Sequence, residues 1–236
     1  MTKLTETDLA SEFAKLAPWI FQFRIGDVDY GGTIGSGSDA RIDQFFHFAP
    51  DVATILETGS LEGAQTFLLS RQPGVRRVLA IEGREANLRK ARFVQELLGV
   101  KNVEFVQGNL EEVDLARYGK FDAVFCCGLL YHLPKPWEFL ARLPAVAPIL
   151  YLWTAYAGDK EAIALPNGMR GKIHSEGGSA EPLSGLSPTA TWLTLDCLRA
   201  CLVTAGYQQV EVIHDDPNHV NGCMVSIGAR TSPALG

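Results

Sequence analysis

The sequence predicts an α/β fold: a doubly wound, mostly parallel seven-stranded sheet closed by an antiparallel C-terminal hairpin. Three observations predict it. Between residues 52 and 153, short apolar runs alternate with amphipathic stretches of helical period, the pattern of βαβ units with right-handed crossovers. The strand-like runs end in short turns, LETGSLEG, IEGRE and QGNLEE, on the side where such sheets bind ligands. Near the C-terminus QVEVIH (209–214) and GCMVSIGAR (222–230) flank the polar loop DDPNHVN, as a hairpin would.

Residues 1–50 read as a helical, loop-rich cap or lid, and 51–236 as the domain it covers. Over 7–17, Leu9, Phe13, Leu16 and Ala17 fall at helical spacing, and Pro18 ends the run. The aromatic run WIFQFRIGDVDYGG and the loop GTIGSGSD follow, then a short helix over 41–48 stopped by Pro50. VATILE (52–57) is the first strand of the domain and 63–70 its first helix. RVLAIE (77–82) is the second strand; the helix after it spans 85–98 and Gly99 closes it. VEFVQ (103–107) and FDAVFCC (121–127) are the third and fourth strands, with a helix over 137–143 after Pro136. AVAPILYLW (145–153) carries the fifth, and Pro148 obscures its start. Residues 158–190 break the rhythm: rich in Gly, Ser and Pro, with little periodicity, they read as an irregular substrate-side insertion able to act as a lid. A helix over 191–205, capped by Gly206, restores it.

Composition narrows the function. The 236 residues are 47% hydrophobic and 20% charged, enough to bury a core without disulfide or metal staples. A net charge of −6 and no Lys/Arg run longer than two disfavour a nucleic-acid partner, which needs a basic face. The five cysteines lack metal spacing; Cys126 and Cys127 are adjacent in a strand and would face opposite sides. His174, His214 and His219 match no ligand pattern either, so no metal is expected. No apolar stretch is long enough to span a bilayer, and MTKLTETDLASEF lacks a signal-peptide core. The expectation is a cytoplasmic, reduced protein, monomer or homodimer, acting on a small molecule and not on membranes.

The turns carry the chemistry. Glu57-Thr58-Gly59-Ser60-Leu61-Glu62-Gly63 puts an acid ahead of G-x-x-x-G, not the G-x-G-x-x-G that receives a diphosphate. That pattern suits a ligand with an amino-acid end and disfavours a nicotinamide dehydrogenase. Glu82, at the end of the second strand, can accept from both hydroxyls of a ribose, or be a solvated acid at a helix start. Asn109, after Gly108, offers a planar donor and acceptor that match an adenine edge, or it is an ordinary turn residue.

In this order and spacing, LETGSLEG, AIEG, QGNLEEV and FDAVFCCGLLYHLPKPWEFLARL resemble the four motifs of class I S-adenosylmethionine-dependent methyltransferases over roughly residues 51–155. The resemblance implies the Rossmann-like methyltransferase fold and S-adenosyl-L-methionine as cofactor. The last motif resembles a group that includes tRNA wobble-uridine carboxymethyltransferases and small-molecule enzymes. Carried over by position, Glu57, Gly59 and Ser60 would hold the methionine end and Gly63 would open the helix. Glu82, with Gly83 and Arg84, would bind the ribose; Gly108, Asn109 and Leu110 the adenine; and Gly128 the floor beside the transferring group. The run around Phe23 and Tyr30 resembles segments that cover the cofactor, and core packing is an equal reading. Two departures stand out: Leu61 occupies a usual glycine position, and Asn109 a usual Asp.

Methyl transfer needs a general base only where the acceptor holds its proton tightly at the point of attack. His132, beside Tyr131, is the best-placed titratable residue for that role, or a structural hydrogen-bonding group next to Pro134. Trp153, Tyr156, His174, Ser187 and Trp192 are candidates to line the acceptor pocket, Trp192 by stacking or simply by holding its helix to the sheet. The expected activity is O-, N- or C-methylation of a small molecule, of an aromatic or natural-product kind. The alternatives are a tRNA wobble-uridine carboxymethyltransferase, disfavoured by the acidic charge, and a non-catalytic cofactor-binding protein.

Overall fold

Helix α1 (Glu6–Lys15) begins where Thr5 and Asp8 cap one another, and it packs Leu9 and Phe13 inward. A small sheet follows it: β1 (Phe21–Ile25), β2 (Val28–Gly31) and β3 (Ile34–Gly35), in the order β2-β1-β3. Helix α2 (Ala40–Phe48) is capped by Asp39. The preamble thus contains strands where loop was expected; its alternating aromatic residues place Phe23 and Tyr30 inward across a hairpin.

The computed structural model describes residues 5–178 and 181–232. Its core alternates β4 (Thr54–Thr58), α3 (Ala64–Ser70), β5 (Arg77–Glu82), α4 (Glu85–Leu98), β6 (Val103–Gln107), β7 (Ala123–Cys127), α5 (Pro136–Arg142) and β8 (Ile149–Ala155). Strands β9 (Ile163–Ala164), β10 (Arg170–Ser175) and β11 (Thr189–Leu193) precede α6 (Leu195–Ala205), β12 (Gln209–Asp216) and β13 (Met224–Arg230). The main sheet has seven strands in the order β6-β5-β4-β7-β8-β13-β12. All pairings are parallel except those of β13, which runs antiparallel to both β8 and β12. This is the Rossmann-like methyltransferase fold.

Local chemistry sets the boundaries. Gly99 ends α4 at φ 65° and Gly206 ends α6 at φ 117°, conformations that glycine adopts without a Cβ clash. Pro148 has no N–H for the ladder, so β8 starts one residue after it. Two apolar layers cover the sheet, and the adjacent Cys126 and Cys127 fall into different ones.

Two expectations are corrected. Residues 158–190 contain the ordered antiparallel pair β10–β11, because Ile173 and Thr191 pair across a ladder that starts beyond a long loop, out of reach of local periodicity. The helix expected over 191–205 starts only at Leu195: Thr194 caps it, so Thr191 and Trp192 lie on β11 instead.

Among the described residues no helix is long and apolar enough to cross a membrane.

Candidate active site

A cavity of about 520 Å³ opens at the carboxyl ends of β4, β5, β6, β7 and β8, within the roughly 300–1,000 Å³ of small-ligand pockets. One end is made by the strand-end turns. Gly59 (φ 81°) leaves β4 with Leu129 against it, so that a Cβ there would come to 3.3 Å of the Leu129 side chain. Ser60 lines the cavity, and its buried hydroxyl has no protein partner.

Glu82 is buried at the end of β5 and its carboxylate faces this end. Oε2 accepts from Leu61 N–H at 2.9 Å; Oε1 accepts from Arg84 N–H at 2.8 Å and Asn87 Nδ2 at 3.3 Å. Burial raises its pKa, and these donors offset part of the rise. A carboxylate has about four lone-pair sites, so the side chain is fixed in place with acceptor capacity left for a ligand.

Gly108, Asn109 and Leu110 line the next loop. Asn109 Oδ1 accepts from Glu111 N–H at 3.1 Å, which orients the amide. Gly83 sits against Leu186: a Cβ there would lie 2.7 Å from Leu186 Cδ1.

The other end is aromatic. Tyr131 stands 6.1 Å from Trp153 and 6.3 Å from Trp192, ring to ring and edge-on, and Trp192 Nε1 donates to the Tyr131 carbonyl at 2.8 Å. His174 stacks on Trp192 at 4.7 Å. The Tyr131 hydroxyl lies 3.7 Å from where a Cβ on Gly128 (φ 80°) would stand. Burial pushes its pKa up to about 12, so Tyr131 stays neutral.

Beside Tyr131, His132 Nδ1 is 3.0 Å from Glu176 Oε1. Glu176 Oε2 accepts from Ser184 Oγ at 2.5 Å and Gly185 N–H at 2.7 Å. Burial pulls His132 below its ordinary value, the Glu176 carboxylate offsetting part of it, so the imidazole is neutral at pH 7. Glu176 is raised by burial and lowered by more through Ser184, Gly185 and His132; it is a carboxylate. The pair is an imidazole oriented by a carboxylate, with Nδ1 engaged and Nε2 left for a substrate proton.

Arg41 completes the aromatic end. Its Nε and Nη2 donate to the two Asp39 oxygens at 2.8 and 2.6 Å, Gln65 Nε2 donates to the same carboxylate at 2.8 Å, and the guanidinium lies 4.5 Å over Trp153. Burial would lower Arg41; the Asp39 pairing outweighs it, and both remain charged.

Five of the residues singled out from the sequence lie elsewhere. Glu57 is fully buried beneath the turn with neither oxygen hydrogen-bonded; burial pushes it up to about 8, with Glu82 repelling in the same direction. Gly63 opens α3 at φ 86°, where a Cβ would press on Phe67 and Phe105. Tyr30 stacks on Phe13 at 5.0 Å, inside the preamble, and Phe21 lines the cavity in its stead. The Tyr156 hydroxyl donates to Asp215 on β12 at 2.8 Å, and Ser187 Oγ donates to Glu111 at 2.9 Å, so both hold distant segments together. Arg84 lines the cavity, but its guanidinium turns to the carbonyls of Gly178, Glu181, Ser184 and Gly185.

Arg41, Gln65, Glu176 and Met224 line the cavity without belonging to any of the motifs. A cue existed only for Arg41, two residues after the Asp39 that caps α2. No motif marks the clamp that holds the preamble either: buried Glu62 accepts from Lys90 Nζ at 2.9 Å and from the N–H groups of Ile20 and Phe21 at 3.0 and 2.8 Å.

The chain is also similar to known proteins. Residues 56–147 match the family model described as "Methyltransferase domain". The chain is 34% identical to the N-terminal domain of EvdMO1, solved in the presence of S-adenosylhomocysteine (SAH) and D-fucose, over 97% of this chain and 98% of that one, with a TM-score of 0.85. The 1,6-didemethyltoxoflavin-N1-methyltransferase of Burkholderia thailandensis shares the fold at a TM-score of 0.58 and 17% identity, over 82% of this chain and 77% of that one. The tRNA U34 carboxymethyltransferase of Campylobacter jejuni subsp. jejuni serotype O:6 is 38% identical over 91 residues, 36% of this chain. The match spans only 27% of that curated relative. The chain belongs to the class I S-adenosylmethionine-dependent methyltransferases.

Proposed function

We propose that the protein methylates a hydroxyl group of a small polar molecule, with His132 as general base. The His132–Glu176 pair, facing a cavity shared with the Glu82 turn, is the observation that carries this reading. When bound, S-adenosylmethionine supplies an electrophilic methyl group; attack on it by a neutral hydroxyl must shed a proton. His132 Nε2 takes that proton, and Glu176 holds the ring in the tautomer that leaves Nε2 free and steadies the imidazolium.

The residues present fit the cofactor. The unpartnered Ser60 hydroxyl and the Gly59 turn receive its methionine end, with Glu57 behind them, and Glu82 takes the ribose. Asn109 Oδ1 already accepts from Glu111 N–H, so its Nδ2 would be the group free to donate to an adenine ring nitrogen. Tyr131, Trp153 and Trp192 enclose the acceptor, and the D-fucose present with the EvdMO1 domain supports a hydroxylated, sugar-like one.

The carboxymethyl alternative calls for a free cation. The two arginines lining the cavity, Arg41 and Arg84, are committed to Asp39 and to loop carbonyls. Five unpaired cysteines support a reducing, cytoplasmic setting.

The test incubates the protein with methyl-labelled S-adenosylmethionine and a panel of monosaccharides, phenols and small amines. Label in a sugar hydroxyl product, lost in His132→Ala, supports the reading; transfer to amines alone, unchanged in that variant, would refute it.

A further inference from the structure

The segment that carries Glu176 is tied down on three loops of the cavity wall. Arg84 Nη2 lies 3.0, 3.0, 2.8 and 3.3 Å from the carbonyl oxygens of Gly178, Glu181, Ser184 and Gly185. Ser187 Oγ donates to Glu111 on the loop after β6. Glu176 meets His132 on the loop after β7.

Ser184 and Gly185 belong to two of these ties at once. Their carbonyls receive Arg84, while the Ser184 hydroxyl and the Gly185 N–H hold Glu176. Gly185 also rests on His132: a Cβ there would come to 2.5 Å of the His132 carbonyl oxygen. The backbone N–H of Arg84, in turn, holds Glu82 Oε1. A ligand in the cavity touches both sides of this arrangement, since Glu82 and residues 182–186 line the same space. Contacts made only when the segment is down favour the closed state by that difference in affinity.

We propose that Arg84 is a positioning residue that couples the cofactor site to the base: by holding Ser184 and Gly185 it sets Glu176 against His132, and an occupied ribose loop stabilises that arrangement. An occupied cofactor site then favours the arrangement the structure already holds, in which Glu176 meets His132. This rests on the cofactor and base roles proposed above.

The test uses SAH as the probe and needs no acceptor. Hydrogen exchange is followed in peptides spanning residues 176–187, and the His132 ring is titrated by NMR with and without SAH. Glu176, Arg84, His174 and Tyr131 are the titratable or charged groups facing that ring. In the wild type, SAH slows exchange in the segment by at least about fivefold, the lower end of common coupling factors, and moves the His132 midpoint upward as the Glu176 contact is held more firmly.

In Arg84→Gln and in Gly185→Ala, SAH is still taken up calorimetrically, but the segment gains no protection and the His132 midpoint stays at its SAH-free position. Glu176→Gln keeps the protection and loses only the midpoint shift. Full SAH-dependent protection and a wild-type midpoint in Arg84→Gln overturn the proposal. SAH uptake by the wild type with no change at 176–187 overturns the coupling alone; no uptake overturns the cofactor reading and the coupling with it.

Discussion

Leu61 holds a left-handed backbone at φ 49° and from it donates its N–H to Glu82 Oε2 at 2.9 Å. A non-glycine residue in this region is destabilised by about 1–2 kcal/mol. Here the turn keeps the geometry a glycine would give, because the amide has to point at the carboxylate.

Comparing Leu61→Gly with Leu61→Ala isolates that strain, since both remove the side chain. The glycine variant should be more stable than the alanine variant by about 1 kcal/mol, the reverse of their order in a helix. Urea unfolding measures it; equal stabilities would mean the turn relaxes without cost.

Glu57 makes stability depend on pH. Its carboxyl is ordinarily near 4.5 and is raised to about 8 when folded. Between those values the folded protein keeps a proton that the unfolded chain has released, so stability falls as pH rises, by up to roughly 1.4 kcal/mol per unit. Glu57→Gln, neutral throughout, should flatten the slope and be more stable than wild type at pH 8. Denaturation at pH 5, 6.5 and 8 is the measurement, and an unchanged slope contradicts it.

His132→Ala should lower kcat by about 10²–10⁴-fold while SAH still binds. Because burial lowers the His132 pKa, wild-type kcat/KM should rise with pH along an acid limb whose midpoint lies below the ordinary histidine value. Glu176→Gln removes a carboxylate that raises His132, so the acid limb should move to lower pH and the plateau fall. A limb that stays in place separates Glu176 from the base.

Lys90→Met leaves Glu62 charged and without its cation in the interior, a change that costs about 3–5 kcal/mol. Adding Glu62→Gln should restore at least half of it. Glu62 holds Ile20 and Phe21, so proteolysis of the single variant should begin in residues 1–30. Additive effects in a double-mutant cycle would show that the pair is uncoupled.

The repeating strand–helix units were legible because the signals are local. Helix α4 matches 85–98, β5 matches 77–82 and β6 matches 103–107 residue for residue, each set by its own periodicity and by a closing glycine or turn. The strand-end glycines and Glu82 were legible for the same reason: the chain must turn there, and the turn brings a few residues to one place.

What the sequence could not show are pairs formed between distant segments. Glu176 lies 44 residues from His132, Lys90 28 from Glu62, and the carbonyls that take Arg84 94 to 101 residues from it. No local pattern marks such partners, because nothing in the spacing of charges says which will share a dry environment. The chain by itself determined the sheet, its crossovers and the ligand-facing turns, since backbone sterics and apolar periodicity act over a few residues. Only the packing of β10, β11 and residues 181–187 over those turns decided that His132 faces a carboxylate, because burial excludes water and makes a hydrogen bond between remote groups worth forming.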